Sequence, residues 1–237
     1  MPCPSSPNKV VYIMKRLLNY LMVLGVFILA GCSASKGTSS ENDWVRVTNG
    51  NLWLTAEGDT VQAHAPGFLR LGDTWYMVGE DRGREWRPDV NLYSSKDLQH
   101  WHFEKKIIEN GVTSPDLGKS RMIERAKLLY NKKTKRFVVW CHWESSNYGA
   151  SEAACFSSDK IDGTYRLEWS GRPLGIKSRD CNVFVDSDGT AYFISTTVEN
   201  QHLGLFRLSD DYLSVNIYKC AKVYYIAHRA CKHHTRL

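Results

Sequence analysis

The twenty-residue stretch at 124–143, ERAKLLYNKKTKRFVVWCHW, most constrains what this chain can fold into. A carboxylate leads it and an apolar run follows (Leu128, Leu129, Tyr130). A polar turn spans residues 131–136, and a second apolar run returns at 137–140. Two short apolar runs separated by a polar turn predict a hairpin of buried strands. The pattern occurs twice more, as HAPGFLRLGDTWYMVGED at 64–81 and DCNVFVDSDGTAYFISTT at 180–197. Aligned on the aromatic that opens the second strand, the repeats superimpose Tyr76, Phe137 and Tyr192. Recurrence at about 20–50 residues or slightly more is the mark of propellers and solenoids.

Each repeat also has a second half. The first continues through residues 92–95, Asp97 and Leu98 to Trp101 and Phe103; the second through 154–158 to the turn at 162–165; the third through 203–208 to the turn at 209–213. These read as a third strand, a polar turn and a short fourth strand. Four antiparallel strands per repeat make a propeller blade, and stacked blades bury faces that one blade alone leaves open. The expected fold is all-β, a β-propeller of four-stranded antiparallel blades. No long amphipathic helix is visible after the leader, and residues 104–110 and 114–121 read as connecting loops.

Composition supports a packed domain: hydrophobic residues make up 43% and charged residues 24% of the 237-residue chain. Eight Trp and twelve Tyr suit strands, and they also suit sugar-stacking clefts. The formal net charge is +6, but the excess sits largely at the two ends. No basic stripe interleaves with the aromatics, so nucleic acid is not an expected partner.

The amino terminus carries Lys15 and Arg16 ahead of an apolar run at 17–30. That run is too short for a comfortable membrane span, which needs about 20 residues, and a basic start with a short apolar core is the pattern of a secretory signal. Met14 is a second candidate initiator. The run ends Leu29-Ala30-Gly31-Cys32, which resembles a bacterial lipobox with Cys32 as the lipidated first residue of the mature protein. The reading assigns residues 1–32 to a signal with lipobox and 33–43 to a polar tether. Residues 44–217 form the propeller and 218–237 an aberrant tail. An exported lipoprotein attached to the cell envelope through Cys32 is the expectation.

Of the seven cysteines, Cys141, Cys155 and Cys181 lie in strand-like surroundings, and no CxxC pair occurs. A zinc ribbon is therefore not indicated. Export permits disulfides, but these three are expected to be plain buried thiols, Cys141 and Cys155 on neighbouring strands.

Each repeat places a polar residue just before its innermost strand: His64, Glu124 and Asp180. In a propeller the innermost strands start around the central axis, so equivalent positions converge at one end of it. Two carboxylates and an imidazole would face each other there, flanked by Arg125 and Arg179. A neighbouring cation lowers a carboxyl pKa and a second carboxylate raises it. Carboxylates with split pKa values are the equipment for glycoside hydrolysis. The same residues fit a purely structural role, pairing with Arg to tie blades together.

Several pieces of the chain resemble glycoside hydrolase family 43, a five-bladed propeller family, and within it the branch of exo-acting 1,3-β-galactanases. They are QAHAPG at 62–67, WYMVGE at 75–80, YSSKDL at 93–98 with Trp101, ERAK at 124–127 with Tyr130 and Asn131, SRD at 178–180 and RLSDDY at 207–212. The resemblance covers about residues 44–215. It implies an inverting mechanism in which a general acid protonates the leaving oxygen while water attacks from the opposite face. It places Asp180 at the position that tunes the acid and orients the sugar, and Glu124 at a sugar-holding carboxylate needed for activity. Glu80, Tyr148 and, as a pocket wall, His64 fall in the pocket for the terminal sugar, with Arg179 beside Asp180. Tyr148 fits stacking, hydroxyl donation or a plain loop aromatic; Trp143 fits the pocket or the core. The partner implied is a galactan, arabinogalactan or similar polysaccharide; arabinose, xylose and galactose substrates all occur in the family. No cofactor and no metal are assigned, and a structural calcium on the axis has no visible ligand set.

Two departures accompany the resemblance. The family's usual catalytic Asp near the first blade has no counterpart, and Gln62 and His64 occupy that region. The general-acid Glu belongs to a fourth blade, whereas the family-like text ends near residue 217 and YKCAKVYYIAHRACKHHTRL follows. About three of five blades are therefore expected, with a frameshift or truncation as the simplest account and an inactive chain as the consequence. A metal site from Cys220, His228, Cys231, His233 and His234 matches no zinc spacing. The alternatives to a glycosidase are a non-catalytic glycan-binding surface lipoprotein and a scaffold propeller without glycan.

Overall fold

The three hairpins form where the repeats place them. In the computed structural model, residues 50–83, 89–109, 111–115, 117, 120–197, 199–216 and 223–224 are described. All of them lie in the second of two units into which the chain divides, Val45–Leu237. The aligned aromatics face equivalent partners across each hairpin: Tyr76 opposite Leu69, Phe137 opposite Tyr130, Tyr192 opposite Phe184. Each hairpin turn contains a residue of positive φ, Gly72 (60°), Lys135 (56°) and Gly189 (82°), as tight antiparallel turns require.

Three four-stranded antiparallel sheets result. The first runs β1 (His64–Leu71), β2 (Thr74–Glu80), β3 (Val90–Ser95), β4 (His102–Ile108) in spatial order. The second runs β5 (Met122–Asn131), β6 (Arg136–Glu144), β7 (Glu152–Ser158), β8 (Arg166–Gly171), and the third β9 (Cys181–Val185), β10 (Ala191–Thr197), β11 (His202–Arg207), β12 (Val223–Tyr224). Among the described residues the helical content is a single 3-10 turn at Pro173–Gly175, and no helix is long and apolar enough to cross a membrane.

The middle sheet is buried on both faces, which is why FVVWCHW reads as one apolar run rather than an alternation. From β6, Val139, Cys141 and Trp143 enter a core shared with the first sheet, where Val78, Leu92 and Ile108 meet Leu128 and Phe156. Val138 and Trp140 enter a second core with Phe193, Phe206 and Leu208 of the third sheet. Trp140 packs between Phe193 and Trp169, ring centroids 5.0 and 5.6 Å away, and its Nε1–H donates to the Tyr212 carbonyl at 2.8 Å. Each such side chain contributes about 1.5–3 kcal/mol by leaving water. Trp143 stacks edge-on against Phe156 and belongs to the core. Cys141, Cys155 and Cys181 are free buried thiols, the first two on paired strands β6 and β7.

Two strands differ from the expectation. Residues 104–108 belong to β4, not to a connecting loop. Glu104, Lys105 and Lys106 give that stretch a loop-like composition, yet charged residues are normal on an edge strand, and Ile107 and Ile108 anchor it in the core. In the third sheet the fourth strand does not follow the turn at 209–213. Leu208 and Val215 form an isolated bridge, and Val223–Tyr224, within the segment read as an aberrant tail, adds to β11 instead. The signal, Cys32, the tether and the cysteine- and histidine-rich remainder of the tail lie outside the described residues.

The inner strands β1, β5 and β9 approach one another along a groove of about 390 Å³ lined by Gly67, Phe68, Lys127, Leu129, Asn182 and Phe184. At its narrowest seam Gly67 lies against β5, where Lys127 Nζ reaches the Ala65 carbonyl at 2.7 Å. A Cβ on Gly67 would sit 2.8 Å from Lys127 Cα and 2.9 Å from the Ala126 carbonyl oxygen, both backbone atoms. Gly67→Ala is expected to cost about 1–3 kcal/mol through forced separation of the two sheets, read as a lowered denaturation midpoint with unchanged m-value.

Candidate functional site

Each inner strand begins beside a polar residue that faces a partner on the second strand of its own hairpin. His64 is in register with Glu80, and Glu124 with His142. Asp180 directly precedes β9, and its backbone carbonyl accepts the Thr196 N–H at 2.8 Å. The first two sheets thus carry the same pair with its members exchanged: His64 Nδ1 to Glu80 Oε2 at 3.3 Å, His142 Nδ1 to Glu124 Oε2 at 3.1 Å.

Both inner strands are bulged directly after the site residue, between His64 and Gly67 and between Glu124 and Lys127. Ala65 (φ 48°) and Arg125 (φ 57°) take left-handed conformations there. Such residues cost about 1–2 kcal/mol each and persist where the surroundings over-determine them. A bulge also turns a side chain toward a new direction. The Arg125 N–H donates to Glu80 Oε1 at 2.5 Å, and the Arg125 Nε–H donates to Asp180 Oδ1. One bulged residue of the second sheet therefore joins acids of the first and the third.

Arg82, just past β2, completes the hub by donating to Glu80 Oε2 at 2.8 Å and Glu124 Oε1 at 3.1 Å. The Tyr148 hydroxyl donates to the same Glu124 Oε1 at 2.7 Å. Behind them His142 Nε2 meets Glu144 Oε2 at 2.9 Å. Glu144 in turn accepts the backbone N–H groups of Ser145, Ala150 and Ser151 at 2.8–3.1 Å. Glu80, Glu124, His142 and Glu144 are buried, whereas His64, Asp180, Arg82 and Tyr148 keep about a third or more of their side chains exposed. The hub is a buried ionic floor with a solvent-facing rim.

Burial pushes the Glu124 carboxyl up, but hydrogen bonds from His142 and Tyr148 and the charges of His142 and Arg82 outweigh it and lower the group to about 2. Glu124 is thus a carboxylate, an acceptor of hydrogen bonds, across ordinary pH. Burial and the Glu124 charge push the Tyr148 hydroxyl up to about 12, so it stays a donor. For Glu144 burial again acts upward, and the N–H groups of Ser145 and Ser151 with His142 bring it down.

Of the residues singled out in the sequence, His64, Glu80, Glu124, Tyr148 and Asp180 come together. Arg179 does not. Its guanidinium donates to Glu199 Oε2 at 2.9 Å and the Tyr148 carbonyl at 3.2 Å, bracing the loop that carries Tyr148. Successive residues of an extended chain face opposite sides, so Asp180 facing the hub sends Arg179 away from it. The cation on Asp180 is Arg125. Sequence reasoning missed Arg82, His142 and Glu144. The last two left a signal: polar residues two apart in a strand otherwise buried. Among the described residues no group of three His, Cys, Asp or Glu side chains is placed to hold a metal ion.

The Glu124 pKa makes stability depend on acid. A carboxyl held at about 2 in the folded chain and 4.5 unfolded stabilises fully above pH 4.5 and loses that contribution as pH falls through 2. Between those values the wild-type chain is expected to lose about 3 kcal/mol more than Glu124→Gln, measured by denaturant unfolding at each pH.

The family model for glycosyl hydrolases family 43 matches residues 59–228. The solved exo-β-1,3-galactanase of Clostridium thermocellum is 38% identical with a TM-score of 0.68, the match covering 72% of this chain and 39% of that one. The exo-β-1,3-galactanase of Phanerochaete chrysosporium, solved with galactose, is 32% identical with a TM-score of 0.68, covering 73% and 41%. A family 43 β-1,3-galactosidase is 36% identical with a TM-score of 0.67, covering 72% and 37%. The chain spans about two fifths of the length of these proteins. No curated protein sequence matches it. The three sheets are blades of the kind these enzymes share, and the chain belongs to glycosyl hydrolase family 43.

Proposed function

We propose that this chain carries the terminal-sugar pocket of an inverting, exo-acting β-1,3-galactan hydrolase, and that alone it binds galactan ends without cleaving them. The observation that carries the reading is the Glu124 carboxylate with Tyr148 and Arg82 on one oxygen. A sugar hydroxyl donates to a carboxylate and accepts from a phenol or guanidinium, so this cluster suits neighbouring hydroxyls of one ring. Arg82 and Arg125 pair with the hub acids Glu80, Glu124 and Asp180, and a neutral sugar adds no further charge to be paired. Relatives at 32–33% identity have been solved with galactose and with β-1,3-galactotriose. In this reading Glu124, Glu80, Tyr148 and His64 hold the sugar, and Asp180 orients it from the third sheet.

Hydrolysis needs a carboxylic acid that is protonated near neutral pH. Glu124 is not one, because its carboxyl lies at about 2. Glu80 and Asp180 are engaged as acceptors by arginine. That observation also favours the second reading, a non-catalytic glycan-binding surface protein built on the same pocket. Titrating β-1,3-galactobiose into the full chain should show saturable binding, weakened at least tenfold in Glu124→Gln with Asp180→Asn. Binding untouched by the double substitution would remove the pocket from the reading, and release of galactose from β-1,3-galactan would overturn the non-cleaving part.

The leader supports a place for this pocket. We propose that Cys32 is lipidated and holds the domain at the cell envelope, on the strength of the basic start, the short apolar run and the Leu29-Ala30-Gly31-Cys32 sequence. Radiolabelled palmitate should enter the wild-type protein and not Cys32→Ala, and membrane attachment should be lost with it; retained attachment would refute the anchor.

A further inference from the structure

We propose that His142 and Glu144 are a positioning pair that fixes the orientation and charge of the Glu124 carboxylate for a sugar hydroxyl. The proposal rests on the reading of the hub as a sugar pocket. Its basis is a closed circuit of contacts. Glu124 Oε2 meets His142 Nδ1 at 3.1 Å, and His142 Nε2 meets Glu144 Oε2 at 2.9 Å. The other Glu144 oxygen collects the N–H groups of Ser145 and Ala150, and Ser151 reaches both oxygens. This shapes the loop in which Tyr148 sits at φ 56°. Tyr148 then returns its hydroxyl to Glu124 Oε1. The circuit leaves Oε1, shared with the partly exposed Arg82 and Tyr148, as the oxygen turned toward the rim.

The chemistry of the pair is specific. Each ring nitrogen of His142 is engaged by a carboxylate, Nδ1 by Glu124 and Nε2 by Glu144, so the ring cannot turn without breaking both contacts. Packing alone does not call for this arrangement. Two nearly inaccessible polar side chains, His142 at 1% and Glu144 at 0% exposure, bring a desolvation cost that a hydrophobic pair avoids. What the pair supplies is a fixed carboxylate whose second oxygen points one way, pre-organised before the sugar arrives. The other titratable or charged groups packed around them are Arg82 and Tyr148 on Glu124 and the Cys181 thiol of β9, next to the His142 backbone.

The test uses the full chain and three variants: His142→Phe, which fills the space without a donor, His142→Gln, which restores one amide N–H, and Glu144→Gln, which removes the charge and replaces one acceptor oxygen with an NH2 donor. Isothermal titration with β-1,3-galactobiose should show at least tenfold weaker binding for His142→Phe, partial rescue in His142→Gln, and threefold to tenfold weaker binding for Glu144→Gln. A His142→Phe chain that unfolds cooperatively yet binds like wild type would overturn the proposal. A second readout stands apart from sugar. The carboxyl carbon-13 resonance of Glu124 should titrate at clearly higher pH in His142→Gln than in wild type and should move in Glu144→Gln, and an unmoved midpoint in both would overturn the positioning role. If no form of the chain binds galactobiose while the Glu124 midpoint still moves, the sugar reading falls and the control of the carboxylate by the pair stands. Should His142→Phe fail to fold, the two Gln variants decide both readouts.

Discussion

Glu80 is the constraint on which the arrangement of the three sheets depends. Its carboxylate is 1% exposed, and a buried charge costs several kcal/mol unless it is paired and hydrogen-bonded. The partners come from Arg82 in its own sheet and from the bulged backbone of Arg125 in the next. That bulge is what sends the Arg125 side chain on to Asp180 in the third sheet. Sliding the first two sheets past each other by a residue would orphan the buried Glu80 charge, and sliding the third would break the partly exposed Arg125–Asp180 pair. The polar hub therefore sets the register among the sheets, and the apolar cores on either side of the middle one supply most of the free energy.

The middle sheet makes this division possible. Its strands face two cores at once, Trp143 entering the one and Trp140 the other. A strand with both faces covered has no solvent side on which polar residues are free. Of the buried polar residues it carries, Glu124, His142 and Glu144 lie at the end where the inner strands meet, and there they pair with each other or with the neighbouring sheets. The site is thus the place where the two cores end, and the same burial that stabilises the sheet forces its acids into a connected network.

This explains which parts were legible in the sequence. The hairpins were, because apolar runs, turn residues and recurrence all agree at 64–81, 124–143 and 180–197. The meeting of His64, Glu124 and Asp180 followed from repetition alone. What the sequence hid is what the bulges decide. In a regular strand Arg125 would face away from its neighbour Glu124, but the extra residue re-aims it toward Asp180 while Arg179 turns out to Glu199. Arg82 lies in a loop with no period to mark it. β4 was masked by Glu104, Lys105 and Lys106, and β12 is only two residues long. Pairing that depends on a bulge or a short edge leaves no periodic trace.

The exchanged His–Glu pairs show how one repeat yields two chemistries. In the first sheet the imidazole is on the inner strand with its side chain half exposed, and the carboxylate is sealed beneath it. In the second the carboxylate is on the inner strand and the imidazole is sealed. Exchanging the two residues across a hairpin therefore exchanges which of them stands on the inner strand, His64 half exposed in the one and Glu124 with one oxygen toward the rim in the other. The first sheet then offers the rim an imidazole and an arginine, and the second offers a carboxylate oxygen and a phenol. A sugar ring presents hydroxyls that both donate and accept, and in the proposed reading the two blades together supply the donors and the acceptor that answer them.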